Sequence, residues 1–117
     1  MKKTTVVIEN SPASAVLQLW LADTFWTRLH GLMFKSQLGK NEGLWLRPCN
    51  SVHMCFMRFT LDIVYVDATG KIIKLVRHLR PWWGVSLCWG AHSTIELAAG
   101  TIERLGLQCG QYVKMRC

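Results

Sequence analysis

Acidic residues are scarce in this sequence: seven Asp and Glu stand against fourteen Lys and Arg, for a formal net charge of +7. The imbalance favours anionic partners in general, whether nucleic acid, acidic protein surfaces or phosphorylated ligands, and does not choose among them. Long apolar runs are also missing. None approaches the ~20 residues that a membrane helix needs. Met1-Lys2-Lys3 has the basic start of a signal peptide, but Glu9, Asn10, Ser11 and Pro12 interrupt before an apolar region forms. The expectation is a cytoplasmic chain with no export and no membrane span. Paired cysteine spacing is absent as well. The five cysteines (Cys49, Cys55, Cys88, Cys109 and Cys117) are odd in number and make no CxxC, which argues for reduced thiols over a disulfide framework. With no linker, repeat or low-complexity tract, residues 1–117 read as a single domain.

What is present suits a packed core. Half of the residues are hydrophobic, six are Trp, and only 18% are charged, which excludes disorder. A chain of 117 residues buries a core without staples. Residues 3–9 are rich in β-branched side chains and predict a strand, and residues 14–22 predict a second. Residues 24–34 predict a short helix, with Phe25, Leu29, Leu32 and Met33 on one face. Residues 39–43 form a polar loop. The pattern then alternates with period two through candidate strands at 43–47, 51–56, 61–67 and 71–80. Asp67-Ala68-Thr69-Gly70 supplies a hairpin turn. Pro81-Trp82-Trp83-Gly84 ends the run. Residues 94–98 form another strand. Thr101 is suited to cap a helical turn over 102–105 that Gly106 stops, and a last strand covers 111–116. Six to eight short strands with one or two short helices predict a mostly β, barrel-like domain with a closed or nearly closed sheet. An open sheet with one covering helix is the second choice.

The run Val52-His53-Met54-Cys55-Phe56-Met57-Arg58-Phe59-Thr60-Leu61-Asp62-Ile63-Val64-Tyr65-Val66-Asp67, with Gly70 and Ile72 after it, resembles the signature of the domain of unknown function 192 family. So do Arg28-Leu29-His30-Gly31-Leu32-Met33, Gly43-Leu44 and Ile95-Glu96-Leu97-Ala98-Ala99-Gly100. The likeness covers about residues 22–116. It implies a compact β-rich domain and carries no reaction and no cofactor. This chain departs from the family pattern at positions 54–56, at Thr60-Leu61, at Trp83 and at Gln111, changes that together make the neighbourhood more apolar.

On the strand 61–67, alternation puts Asp62 with Val64 and Val66 on one face, and Leu61, Ile63 and Tyr65 on the other. A carboxylate there needs a partner, and Arg58 or Arg28 is the natural candidate. Arg28, His53, Arg58 and Asp62, with Trp82 at the rim, form the candidate ligand site for a small anion or a partner peptide. The competing view is a buried ion pair, or an Asp that caps backbone groups and fixes the fold. Glu96, between Ile95 and Leu97, is expected to be an exposed strand residue.

Three further readings compete. Arg77, His78 and Arg80, followed by Trp82 and Trp83, combine phosphate-binding cations with base-stacking indoles, without a recognised nucleic-acid motif. His53 with Cys55 and Cys49 suggests a soft-metal set, but residues alternating on a strand lie about 6.6 Å apart, so Met57 is out of reach of an ion held by His53. Cys49 or Cys55 with His53 forms a nucleophile pair only if a third residue orients it, and none is identifiable. Neither Asp67 nor Glu96 has a spacing to Asp62 that marks a hydrolytic carboxylate pair. The reading is therefore a binding module that is not an enzyme and carries no cofactor.

Overall fold

The computed structural model describes residues 2–10, 15–22, 24, 38–53 and 59–116. Its strands are β1 (Lys2–Glu9), β2 (Val16–Ala22), β3 (Glu42–Leu46), β4 (Ser51–His53), β5 (Leu61–Val66), β6 (Ile72–Leu79), β7 (Val85–Leu87), β8 (Ser93–Ala98) and β9 (Tyr112–Met115), with a short helix α1 (Thr101–Leu105) between the last two. The helix expected over 24–34 lies outside the described residues but for Thr24.

Seven strands form one sheet in the order β6-β5-β8-β3-β2-β1-β9, and β4 pairs with β7 in a separate ribbon. Every pairing is antiparallel except β2 with β3, which is parallel. The sheet curls until its two edge strands meet at one end. There Lys71 bridges Tyr112. Ile72 N–H donates to the Gln111 carbonyl at 2.8 Å, and Val113 N–H donates to the Gly70 carbonyl at 2.8 Å. The result is a half-barrel, joined along part of its seam.

Two cores follow from the two faces of this sheet. The inner one draws Val6, Leu19, Trp45, Val64, Ile72, Ile95 and Val113 from the seven strands, and α1 adds Ile102 and Leu105. Val52 of the ribbon packs with Leu44, Leu46, Leu61, Ile63 and Tyr65 on the other face. The alternation read from β5 holds: Val64 and Val66 face the inner core, and Leu61, Ile63 and Tyr65 face the outer one. With both faces covered, all six positions of β5 are buried.

Local chemistry accounts for the connections. At the β5–β6 hairpin the Asp67 carboxylate accepts Thr69 N–H at 2.9 Å, the Thr69 hydroxyl at 2.6 Å and Lys71 N–H at 3.0 Å. Gly70 closes the turn at φ 92, a conformation that a Cβ disfavours. Gly43 serves a different need. A Cβ there would stand 2.4 Å from the Glu96 carbonyl oxygen, so only a glycine lets β3 and β8 approach. The strand β7 was not anticipated. It has three residues and lies between a Pro-Trp-Trp-Gly turn and a second turn, too short for a periodic signal.

Candidate functional site

The half-barrel has two unlike ends. At the first, α1 plugs the interior and Asp62 organises the plug. Asp62 is fully buried. Its Oδ2 accepts Gly100 N–H at 3.0 Å and Ile102 N–H at 2.9 Å, two of the donors that a helix start leaves without partners. Its Oδ1 accepts His78 N–H at 3.0 Å. The register between β5 and β6 slips between Leu61 and Ile63, and His78 takes φ 55 there. Such a bulge leaves an N–H off the ladder, and Asp62 receives it. The helix is thus capped by a side chain 40 residues upstream, not by Thr101 as its sequence suggested. Thr101 is the first helical residue, Gly100 is the N-cap, and no local side chain bonds the cap. Gly106 ends the helix in the left-handed conformation, as expected. The partners given to Asp62 are backbone amides, so the backbone-capping alternative describes these contacts.

At the other end of β5 and β8 no described element fills the curl. A cleft of about 410 Å³ is lined by Trp45, Val66 and Val113 from the inner core and by Arg47, Asp67, Thr69, His92 and Lys114 around them. The Trp45 indole N–H donates to Ser93 Oγ at 2.9 Å, which fixes the ring. The Arg47 guanidinium lies over that ring, 4.8 Å from its centroid. Lys114 pairs with Glu9 at 3.1 Å across the exposed edge. The hydrogen bond from the Thr69 hydroxyl, with those from Thr69 and Lys71 N–H, holds the Asp67 carboxyl below its usual range. A second hollow of about 240 Å³ is lined by Pro48, Cys49, Asn50, Ala91 and His92, so His92 borders both. Sequence reasoning missed this mouth. Its walls come from four separated segments, of which only Val66–Gly70 carried a sequence signal, and that signal was for a turn.

Of the residues singled out beforehand, Arg28, Arg58 and Cys55 lie outside the described residues. His53 ends β4, paired with Val85. Asp62 is at the plugged end and Trp82 is half-exposed after β6, so neither lines the mouth. Cys49, Cys88 and Cys109 are free thiols, and the Cys49 thiol donates to the Ser51 carbonyl at 3.1 Å. Among the described residues no three His, Cys, Asp or Glu side chains are placed to hold one ion. Arg77, His78, Arg80, Trp82 and Trp83 are all exposed. Gln111 is buried, accepts Gln108 N–H at 2.9 Å and donates to the Gly106 carbonyl at 3.2 Å, which braces the loop after α1.

A second expectation is overturned. Glu96 is not exposed; it is 7% exposed, and burial pushes its pKa up to about 7. It shares the outer face with Leu44 and Ile63, its register partners on β3 and β5. The simple alternation placed it correctly opposite Ile95 and Leu97 but assumed that this face meets water. On the same face the Tyr65 hydroxyl is buried near Ser86 without completing a hydrogen bond, and desolvation raises its pKa.

Fold and site together define a class: a β half-barrel plugged at one end, with a cation-bearing cleft at the other. The chain belongs to the DUF192 family, described as an uncharacterized ACR, whose model matches residues 6–115. It is similar to a UPF0127 protein of Thermococcus sibiricus, 31% identical over 99 residues, which are 80% of this chain and 62% of that relative. The chain thus spans less than two thirds of that relative's length. Two solved structures share the fold. One is a protein of unknown function from Novosphingobium aromaticivorans, with TM-score 0.87 and 24% identity over 96% of this chain and 84% of the other. The second is a Sinorhizobium meliloti protein, provisionally described as a transcription regulator, with TM-score 0.88 and 21% identity over 97% of this chain and 94% of the other. No helix among the described residues is long and apolar enough to cross a membrane.

Proposed function

We propose that this chain is a non-enzymatic binding module whose open mouth takes a small anionic ligand. One observation carries the reading: the cleft of about 410 Å³ gathers Arg47, His92 and Lys114 around an indole floor. Its size falls in the range of small-molecule sites, and barrel mouths are a common place for them. The Trp45 ring lines the cleft, and the guanidinium of Arg47 stacked on it is a planar cation of the kind that pairs with carboxylates and phosphates. Lys114 is held by an exposed ion pair, which is worth little in water, so an incoming anion competes with Glu9 at small cost. Asp62 enters as a positioning residue that fixes the far end of the same strands. The partner-peptide form of this reading uses Arg28, His53, Arg58 and Trp82 instead.

Calorimetric titration with inorganic phosphate and with a nucleoside monophosphate tests the mouth. Saturable binding is expected, tighter for the ligand with an aromatic ring. Arg47→Gln should weaken it by roughly tenfold or more, the scale of one lost charge-assisted hydrogen bond. Lys114→Met should weaken it less, and Trp82→Ser not at all. Absence of saturable heat with both probes, or equal affinity in the Arg47 and Lys114 variants, would overturn the mouth as the site.

A further inference from the structure

Among the described residues, five of the six exposed large hydrophobic side chains fall within eight residues: Trp82, Trp83, Val85, Leu87 and Trp89. Soluble surfaces seldom gather apolar side chains this densely unless something covers them. The segment forms a flap. In β7 the side chains alternate, with Ser86 buried and Val85 and Leu87 turned outward. Lys74 ties the flap to the main sheet by donating to the Leu87 carbonyl at 2.8 Å. A strand of three residues spans only about 7–10 Å, so the turns carrying Trp83 and Trp89 flank it closely. Trp83 and Trp89 are 89% and 83% exposed. Beside them, Arg77 and Arg80 are exposed at the end of β6. No acidic residue occurs between Asp67 and Glu96, while Lys71, Lys74, Arg77 and Arg80 all do.

We propose that this flap is an interfacial anchor that seats the domain on an anionic lipid bilayer. Indoles favour the boundary between headgroups and acyl chains, where the ring is buried and its N–H stays wet. Val85 and Leu87 add aliphatic area to the same insertion. Arg77 and Arg80 remain at headgroup level and attract acidic lipids, each strengthening binding by roughly fivefold. A single nucleic-acid strand fits the flap less well. Strand-binding proteins lay bases on aromatic rings along a basic groove, whereas here the rings project from a turn and two aliphatic side chains lie between them. The proposal does not depend on the mouth cleft, whose lining includes none of these residues.

Sedimentation with vesicles of phosphatidylglycerol and phosphatidylcholine in equal parts, against pure phosphatidylcholine vesicles, tests this on the full chain. The expected result is binding to the acidic vesicles, a blue shift of tryptophan emission, and little binding to the neutral ones. The double variant Trp83→Ser/Trp89→Ser should retain its circular dichroism spectrum and lose roughly tenfold or more of the binding, since each ring removes a large buried area. Arg77→Gln/Arg80→Gln should weaken binding to the acidic vesicles by roughly twenty-five-fold. Failure to sediment with acidic vesicles, unchanged binding in the tryptophan double variant, or quenching with tighter binding to a single-stranded oligonucleotide would each overturn the proposal.

Discussion

The two ends of the half-barrel are built from the same strands and could hardly differ more. Where β5 begins and β8 ends, one carboxylate collects three backbone N–H groups and α1 fills the interior. Where β5 ends and β8 begins, no element among the described residues plugs the curl, and Trp45, Val66 and Val113 meet a cleft rimmed by Arg47, His92 and Lys114. On the proposed reading, the contrast separates architecture from recognition. A buried charge whose oxygens are all engaged stabilises its surroundings, whereas cations at a rim, stacked or weakly paired, keep the capacity to bind.

The largest effect that could break this contrast is at the plugged end. Asp62→Ala leaves one buried and two part-buried donors without their acceptor and should cost about 4 kcal/mol, at roughly 1–3 kcal/mol for each orphaned group. Chemical denaturation measures the loss, and amide exchange at His78, Gly100 and Ile102 should accelerate selectively. Asp62→Asn, which retains one carbonyl acceptor, should fall between. A change below about 1 kcal/mol would remove the distinction between the ends, since a cap alone is worth that much.

Next comes Glu96, between the ends on the outer face. Its pKa rises from an ordinary 4.5 to about 7 in the folded chain. Below the ordinary value both folded and unfolded chains are protonated and folding carries no ionisation cost. Between the two values only the unfolded chain ionises, so stability falls as pH rises; above about 7 the loss levels off. The total is about 3 kcal/mol, at 1.36 kcal/mol for each pKa unit. Thermal melts across this interval should show the decline in the natural chain and none in Glu96→Gln.

Smaller effects belong to the mouth. Gly70→Ala imposes a side chain at φ 92, with its Cβ 3.0 Å from the Val113 carbonyl oxygen. It should cost about 1–2 kcal/mol, the scale of a left-handed non-glycine residue, without changing exchange at Gly100. Lys114→Met removes only an exposed pair and should change stability by less than about 1 kcal/mol, while weakening phosphate binding. A stability loss at Lys114 comparable to that at Asp62 would make the mouth as architectural as the plug.

Much of the fold was legible along the chain because it is written in local periodicity. The alternation of Leu61 to Val66 gave both faces of β5 correctly, and Asp67-Ala68-Thr69-Gly70 marked a turn whose hydrogen bonds span no more than four residues. Gly106 marked the end of α1 for the same local reason. The strand β7 stayed hidden because three residues cannot display a period. The site was less legible. Asp62 was recognisable as a carboxylate in apolar company that needed donors, yet its donors lie 16, 38 and 40 residues away and are backbone amides, which carry no side-chain signature.

By itself, then, the sequence determined a mostly β chain, its main strands and turns, the family it belongs to and an excess of positive charge. Those are properties of neighbouring residues and of sums over the chain. Only the tertiary structure decided which face of β8 is covered, so that Glu96 is buried, and which end of the curl remains open. The ribbon that packs Val52 on the outer face accounts for the first, and the curl that brings Lys71 to Tyr112 shapes the second. Such contacts join residues far apart in the chain, and their free energy depends on what the rest of the molecule places opposite them.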